Sequence, residues 1–261
     1  MQTVQVKLRG VEQALEGEVD QDGTLTIQEI EYEIDQLPID TPNIKTVYGA
    51  LLNFEGAYKA LEPEMNDAPY QNPPKAPVLY IKPKNTFISN GQAIPLPEDV
   101  EALEIGATLG VVIGKTATKV KEAEALDYVQ GYTVVNDVSI PHDNFHRPAV
   151  KQKARDGFCP VGPWIVNKED VTDPNNLTIN VYVNGEKKLE NSTNNLIRSV
   201  EKLIADVTDY MTLYKGDVLL IGVPENAPLA KENDLVRIEI EQVGSLENRV
   251  VLEKNVIGGD I

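Results

Sequence analysis

The chain is short of cysteine, histidine and basic side chains. One thiol, Cys159, stands in 261 residues, so no disulfide can form within the chain. Basic residues number 24 against 41 acidic ones, a net charge of −17. A surplus of that size opposes phosphate backbones and anionic lipid, and excludes nucleic acid and membrane surfaces as broad partners. The apolar runs fall well short of the roughly 20 residues that a membrane span needs. The opening MQTVQVKLRG has charges where a leader peptide would have an apolar stretch. A cytoplasmic protein is expected.

What is present is the material of an ordinary globular protein, 41% hydrophobic and 25% charged. Residues 1–66 read as short strands, TVQVKL and the alternating TLTIQEIEYEI, and predict a small β-rich N-terminal module. The Pro-rich DAPYQNPPKAP at 67–77 is the natural divide. Beyond it, in 67–261, PVLYIKP and ATLGVVIG are buried strands by length and composition. KEAEALDYVQGY has helical spacing, and the stripe Leu196, Ile197, Val200, Leu203, Ile204 and Val207 predicts a helix from about 195 to 211 capped by Thr193 or Asn194. Asn184-Gly185 inside LTINVYVNGEKKLE is a strong hairpin signal. Strands outnumber helices, which predicts a mixed β roll or sandwich with few helices.

Three patterns carry candidate chemistry. Asp137 ends the apolar run TVVND, where a charge is costly unless it is paired or binds a cation, so it is a candidate oxygen ligand for a hard divalent ion or, equally, a strand-capping turn residue. Lys151, Lys153 and Arg155 alternate and would share one face of an extended segment, a seat for a carboxylate or else a solvated edge. His142 and His146, the two histidines, lie four apart beside Asp143, but prolines bracket them and no third ligand has a recognised spacing. Cys159 and Trp164 read as core.

The segments GVVIGKTATKVKEAEALDYVQGYTVVNDVS, KARDGFCPVGPWIV, LTINVYVNGE, LIADVTDYMTLYKGDVLLIGVP and QVGSLENRVV, in that order, resemble the fumarylacetoacetate hydrolase family. GATLGVVIGKTATKV and RPAVKQKARDGFCPVG are most similar to the N-terminal-type half, or subunit, of its decarboxylase/isomerase members. The resemblance implies a β-sandwich roll, usually dimeric, and a small dicarboxylic 2-oxo or 2-hydroxy acid as substrate, such as 5-carboxymethyl-2-oxo-hex-3-ene-1,7-dioate or 2-hydroxyhepta-2,4-diene-1,7-dioate of aromatic (4-hydroxyphenylacetate) catabolism. It also implies Mg²⁺ or Mn²⁺ held by two glutamates spaced E-x-E and one aspartate. Here the glutamate positions fall on Gly106 and Thr108; the aspartate falls on Asp137 and the family's site lysine on Lys153. Glu104 is a further carboxylate candidate, Pro141 and Val223 replace polar site residues, and a lid acid/base pair falls near Ala57 and Ala60.

Asp137 and Lys153 are therefore the expected catalytic pair, Lys151 and Arg155 the expected substrate anchors, and the metal is expected to bind weakly or not at all. Three functions compete: a decarboxylase/isomerase component, a non-catalytic partner stabilising a metal-bearing sister chain in a homodimer or hetero-oligomer, and a hydrolase of acylpyruvate or fumarylacetoacetate type.

Overall fold

The structure is a computed structural model that describes residues 1–20, 23–68, 71–142 and 148–258. The first part of the chain supplies strands β1 (Gln2–Val6), β2 (Leu15–Val19), β3 (Leu25–Ile27), β4 (Ile30–Tyr32), β5 (Val47–Leu51) and β6 (Val78–Lys82). Next come β7 (Phe87–Ile88), β8 (Ile94–Leu96), β9 (Leu103–Glu104) and β10 (Ala107–Ile113), then the long β11 (Val129–Asn136) and β12 (Cys159–Asn167). Strands β13 (Thr178–Val183), β14 (Glu186–Ser192), β15 (Val218–Leu220), β16 (Leu229–Ala230), β17 (Leu235–Ile240) and β18 (Gly244–Leu252) complete the set. Four α-helices are described: α1 (Glu55–Met65), α2 (Val150–Lys153), α3 (Val200–Tyr210) and α4 (Glu253–Gly258).

An 11-stranded mixed sheet runs β4-β3-β2-β1-β12-β11-β10-β15-β5-β6, with β7 added in parallel to β12. A five-stranded sheet, β14-β13-β17-β18-β8, lies beside it, and β9 pairs with β16. The mixed β fold with few helices is as expected. Hydrogen bonds cross the expected divide at residue 66, since β1 pairs with β12, and β5 with both β15 and β6.

All seven residues of β10 are buried, which is why ATLGVVI reads as one continuous apolar run rather than an alternation. Leu109, Val111 and Ile113 join the main core, while Val112 on the other face meets Val135, Val161, Ile165 and Leu220. Asn184 and Gly185 both take positive φ, 52° and 79°, the pair of left-handed residues that a two-residue hairpin between β13 and β14 requires.

Two helix expectations need correction. Residues Glu122–Tyr128 form a 3₁₀ rather than an α segment. The helix expected from 195 begins instead at Val200, capped by Ser199, whose hydroxyl accepts from Lys202 N at 3.1 Å. The buried Asn53 is the cause. Its backbone carbonyl accepts from Ile197 N at 2.8 Å and its Oδ1 from Arg198 N at 3.0 Å, holding that stretch extended against local helix preference. Among the described residues no helix is long and apolar enough to cross a membrane.

Candidate functional site

Strand β11 delivers Asp137 into the interior, where it is 1% exposed. A bare carboxylate there would cost several kcal/mol (roughly, on transfer grounds), so its surroundings must supply charge. They supply it twice. Lys153 Nζ donates to Oδ2 at 2.7 Å, and Lys82 Nζ lies 2.7 Å from Oδ1. The Tyr80 hydroxyl also donates to Oδ2.

Lys82 is wholly buried, and its three N–H bonds are directed at the carbonyls of Val138, Lys153 and Phe158 at 2.7, 2.8 and 2.8 Å. An ammonium has three protons. Its contact with Oδ1 is therefore an ion pair without a shared hydrogen bond, and Oδ1 has no hydrogen-bond donor of its own among the described residues.

Burial alone would raise the Asp137 pKa, but Lys153 and Lys82 together outweigh burial and bring the carboxyl down to about 2. The same burial pushes the Tyr80 phenol up, with the Asp137 carboxylate adding to the shift, so the phenol stays protonated and donating. Burial lowers the Lys82 pKa, and Asp137 opposes that change.

Local sequence explains how these groups meet. Tyr80 and Lys82 are two apart on β6 and so share a face. A Cβ at Gly49, the cross-strand neighbour of Tyr80, would fall 2.1 Å from the Tyr80 ring, so the glycine leaves the passage through which the phenol reaches Asp137. After β6 the chain returns through β7 to pair with β12, which sets Lys82 against Phe158. Lys153 closes α2, and its ammonium sits 4.9 Å from the centre of the Tyr80 ring, in cation–π range.

Gly106 is pinned from both sides. Its N–H donates to Asn136 Oδ1 at 3.1 Å and its carbonyl accepts from Asp137 N at 2.7 Å. A Cβ there would lie 2.4 Å from the Asp137 carbonyl oxygen and 3.1 Å from Val223 Cγ2. No glutamate side chain fits at this position without a backbone shift. Thr108 is fully buried with Oγ1 unpaired, the one polar atom where the family's second glutamate would stand.

Glu104, half-buried, bridges through its backbone to Ser139 and lies within electrostatic reach of Lys153 and Asp137. Burial raises its pKa; Lys153 works against that shift and Asp137 adds to it. A hard divalent ion asks for six or more oxygen donors, with carboxylates foremost. Asp137 is already spent on two ammonium groups and a phenol, position 106 is closed to any side chain, and Thr108 offers a hydroxyl. Among the described residues no group of three His, Cys, Asp or Glu side chains is placed to hold a metal. The donor set does not fit Mg²⁺ or Mn²⁺.

The other expected residues divide. The shared face for Lys151, Lys153 and Arg155 rests on extended geometry, whereas the segment is a helical turn. Lys151 is exposed, and Arg155 pairs with Glu253 of α4 at 3.1 Å instead of joining Lys153. Ala57 is half-buried and Ala60 exposed on α1. Cys159 is core, its thiol pushed up to about 12 by burial. His146 and Asp143 lie outside the described residues. Sequence reasoning missed Tyr80 and Lys82; the available signal was a lysine two residues from a tyrosine in an otherwise apolar strand.

This fold, with a lysine-bound aspartate at the end of a central strand, places the chain in the fumarylacetoacetate hydrolase family. Residues 46–251 match that family's C-terminal domain, so the chain belongs to it. A 4-hydroxyphenylacetate degradation bifunctional isomerase/decarboxylase of Salmonella dublin is 46% identical over 70% of this chain and 43% of its own length. A mitochondrial oxaloacetate tautomerase of Xenopus laevis is 36% identical over 68% of this chain and 59% of its own. A 2-hydroxyhepta-2,4-diene-1,7-dioate isomerase from Mycobacterium marinum has the same fold, with a TM-score of 0.78 and 25% identity over 97% of this chain and 99% of that one. The chain spans about half the length of the isomerase/decarboxylases that it matches.

Proposed function

We propose that this chain is a component of an isomerase/decarboxylase acting on a small 2-oxo or 2-hydroxy dicarboxylic acid of aromatic catabolism, and that fixed ammonium groups do the electrostatic work that a divalent ion does elsewhere in the family. The observation that carries it is the Lys82–Asp137–Lys153 cluster: two cations, one wholly buried and one at the edge of the interior, face one buried carboxylate, which leaves one positive charge in excess while Glu104, whose pKa burial raises, holds its proton. A substrate carboxylate or an enolate oxygen is the ligand such an excess favours.

Lys153 is the member able to meet it. Its side chain keeps 14% exposure, and one N–H is committed to Asp137. Asp137 acts as a positioning residue, orienting Lys153 as Lys82 locks Asp137. In the isomerase direction the 2-hydroxyl of the dienoate gives up its proton, leaving a dienolate, and a proton adds at C5 as the oxygen becomes a carbonyl; in reverse a proton leaves C5 and its electron pair moves through the conjugated system onto the carbonyl oxygen. In decarboxylation CO₂ departs and its bonding pair takes the same route. Glu104, a half-buried carboxyl beside Lys153, is the candidate to carry the proton. Relatives are named for isomerase/decarboxylase, tautomerase and isomerase reactions, and an enolate is an intermediate common to those reaction classes at a 2-oxo acid, which supports the choice of chemistry.

The test is turnover of 2-hydroxyhepta-2,4-diene-1,7-dioate, followed by its ultraviolet absorbance, in excess EDTA. Lys153→Met should lower kcat/KM by on the order of 10²-fold or more, and Lys153→Arg should recover part of it. A second reading has its own support: Gly106 is sealed against a ligand side chain, and the isomerase/decarboxylase relatives are about twice as long. In that reading the chain is a non-catalytic partner of a metal-bearing sister chain. Activity that appears only when such a chain is added, and that Lys153→Met leaves intact, would select it over the first.

A further inference from the structure

At the opposite end of the sheet from Asp137 is a cleft of about 590 Å³ lined by residues from β1, β11 and β12, the approach to β5, and the turns after β10 and before β15. It opens at Val129, where β11 begins, while Asp137 follows the far end of that strand. Eight extended residues separate the two by roughly 25 Å.

The cleft reverses the charge bias of the chain. Acids outnumber bases 41 to 24 overall, yet four lysines, Lys7, Lys45, Lys115 and Lys215, line the cleft beside one acid, Asp127. Lys7 pairs with Asp40 at 3.3 Å and Lys115 stacks on the Tyr128 ring at 4.6 Å. Lys45 and Lys215 are exposed and have no ion-pair partner among the described residues. Cations massed in a concave surface focus potential there, even on an acidic protein.

The walls add shape to the charge. The buried Val129 and Ile165, with Pro42, form an apolar side. Gln130 Nε2 donates to Gln5 Oε1 at 2.8 Å, setting a pair of amides on the wall. Gly216, whose φ of 90° favours glycine, lies against the aliphatic stem of Lys45, so that stem forms part of the wall while the side chain remains exposed. A volume of this order suits a small organic molecule.

We infer that this cleft binds a small organic polyanion, with two or more carboxylate or phosphate groups on a compact apolar body, held by Lys45, Lys215 and Lys115. The site is separate from the Asp137 cluster and does not depend on the function proposed for it. Titration calorimetry of the intact chain with citrate, inorganic pyrophosphate and acetate at fixed ionic strength tests the inference. Saturable one-to-one binding of citrate or pyrophosphate but not acetate is expected, and the tighter of the two identifies the anionic group. The double variant Lys45→Ala/Lys215→Ala should weaken it by about tenfold or more. Both side chains are exposed, so the fold should survive, and Lys45→Arg/Lys215→Arg should retain binding. Lys153→Ala should leave the affinity unchanged. Three results would overturn the inference: no saturable binding of either polyanion, binding lost on Lys153→Ala but kept in the double variant, or lysine variants that change the sedimenting mass while leaving anion affinity alone, which would make the cleft a chain-to-chain contact.

Discussion

Replacing Asp137 by asparagine keeps the size of the side chain and removes its charge, leaving two ammonium groups, one of them wholly buried, without a counter-ion. The fall of the Asp137 pKa from 3.8 to about 2 corresponds to roughly 2–3 kcal/mol of stability by linkage. Breaking a buried ion pair by removing one partner costs about 3–5 kcal/mol, because the remaining charge is still buried. Asp137→Asn should therefore lose about 3 kcal/mol or more at pH 7, or roughly 10 °C in Tm for a chain of this size. The pH course follows from the direction of the shift. A depressed carboxyl stabilises the fold above its unfolded pKa and loses that contribution as pH falls through the folded one. The gap between wild type and Asp137→Asn should be full at pH 6–7, begin to narrow below about pH 4, and close only near pH 2, where the folded wild-type carboxyl also becomes neutral. Urea melts across that range read it directly. A gap under about 1 kcal/mol at pH 7, or one that is unchanged at about pH 3, would refute the ion-pair account.

Gly106→Glu should destabilise by about 1–3 kcal/mol or more, since its Cβ meets the Asp137 carbonyl, and calorimetry should find no gain in Mn²⁺ affinity from the added carboxylate. Glu104→Gln should raise the Tm at pH 8 and not at pH 4, because a carboxyl whose pKa is raised by burial favours the fold only while protonated and loses that contribution as pH rises. Ser199→Ala should cost about 1 kcal/mol through loss of the α3 cap, whereas Ser199→Asp, which keeps a side-chain acceptor there, should retain most of the stability; thermal melts of the pair decide.

Local patterns reveal the elements better than they reveal the meeting of those elements. The hairpin at Asn184-Gly185 and the continuous burial of β10 follow from turn chemistry and from an unbroken apolar run. The start of α3 does not, because it is set by Asn53, 145 positions from the backbone that it holds. The site shows the same division. Asp137 and Lys153, 16 apart, are singled out from two neighbouring segments and paired by the family resemblance, and they stand in contact. Tyr80 and Lys82, 57 and 55 positions before Asp137 in the chain, enter through the return of β6 and β7 to β12; a lysine in an apolar strand hints that a buried partner is needed, but the segment does not say which. Gly106 is readable as a missing glutamate. That its backbone is tied to Asn136 and Asp137, so that the space is closed rather than empty, follows only from the fold.

The most direct measurement is a titration of the purified chain with Mn²⁺, run beside Asp137→Asn. Because the charge of Asp137 is already paired with Lys82 and Lys153 and position 106 admits no ligand, the wild type should show no stoichiometric high-affinity site and the variant should give the same trace. Tight one-to-one Mn²⁺ binding that Asp137→Asn abolishes would contradict the account.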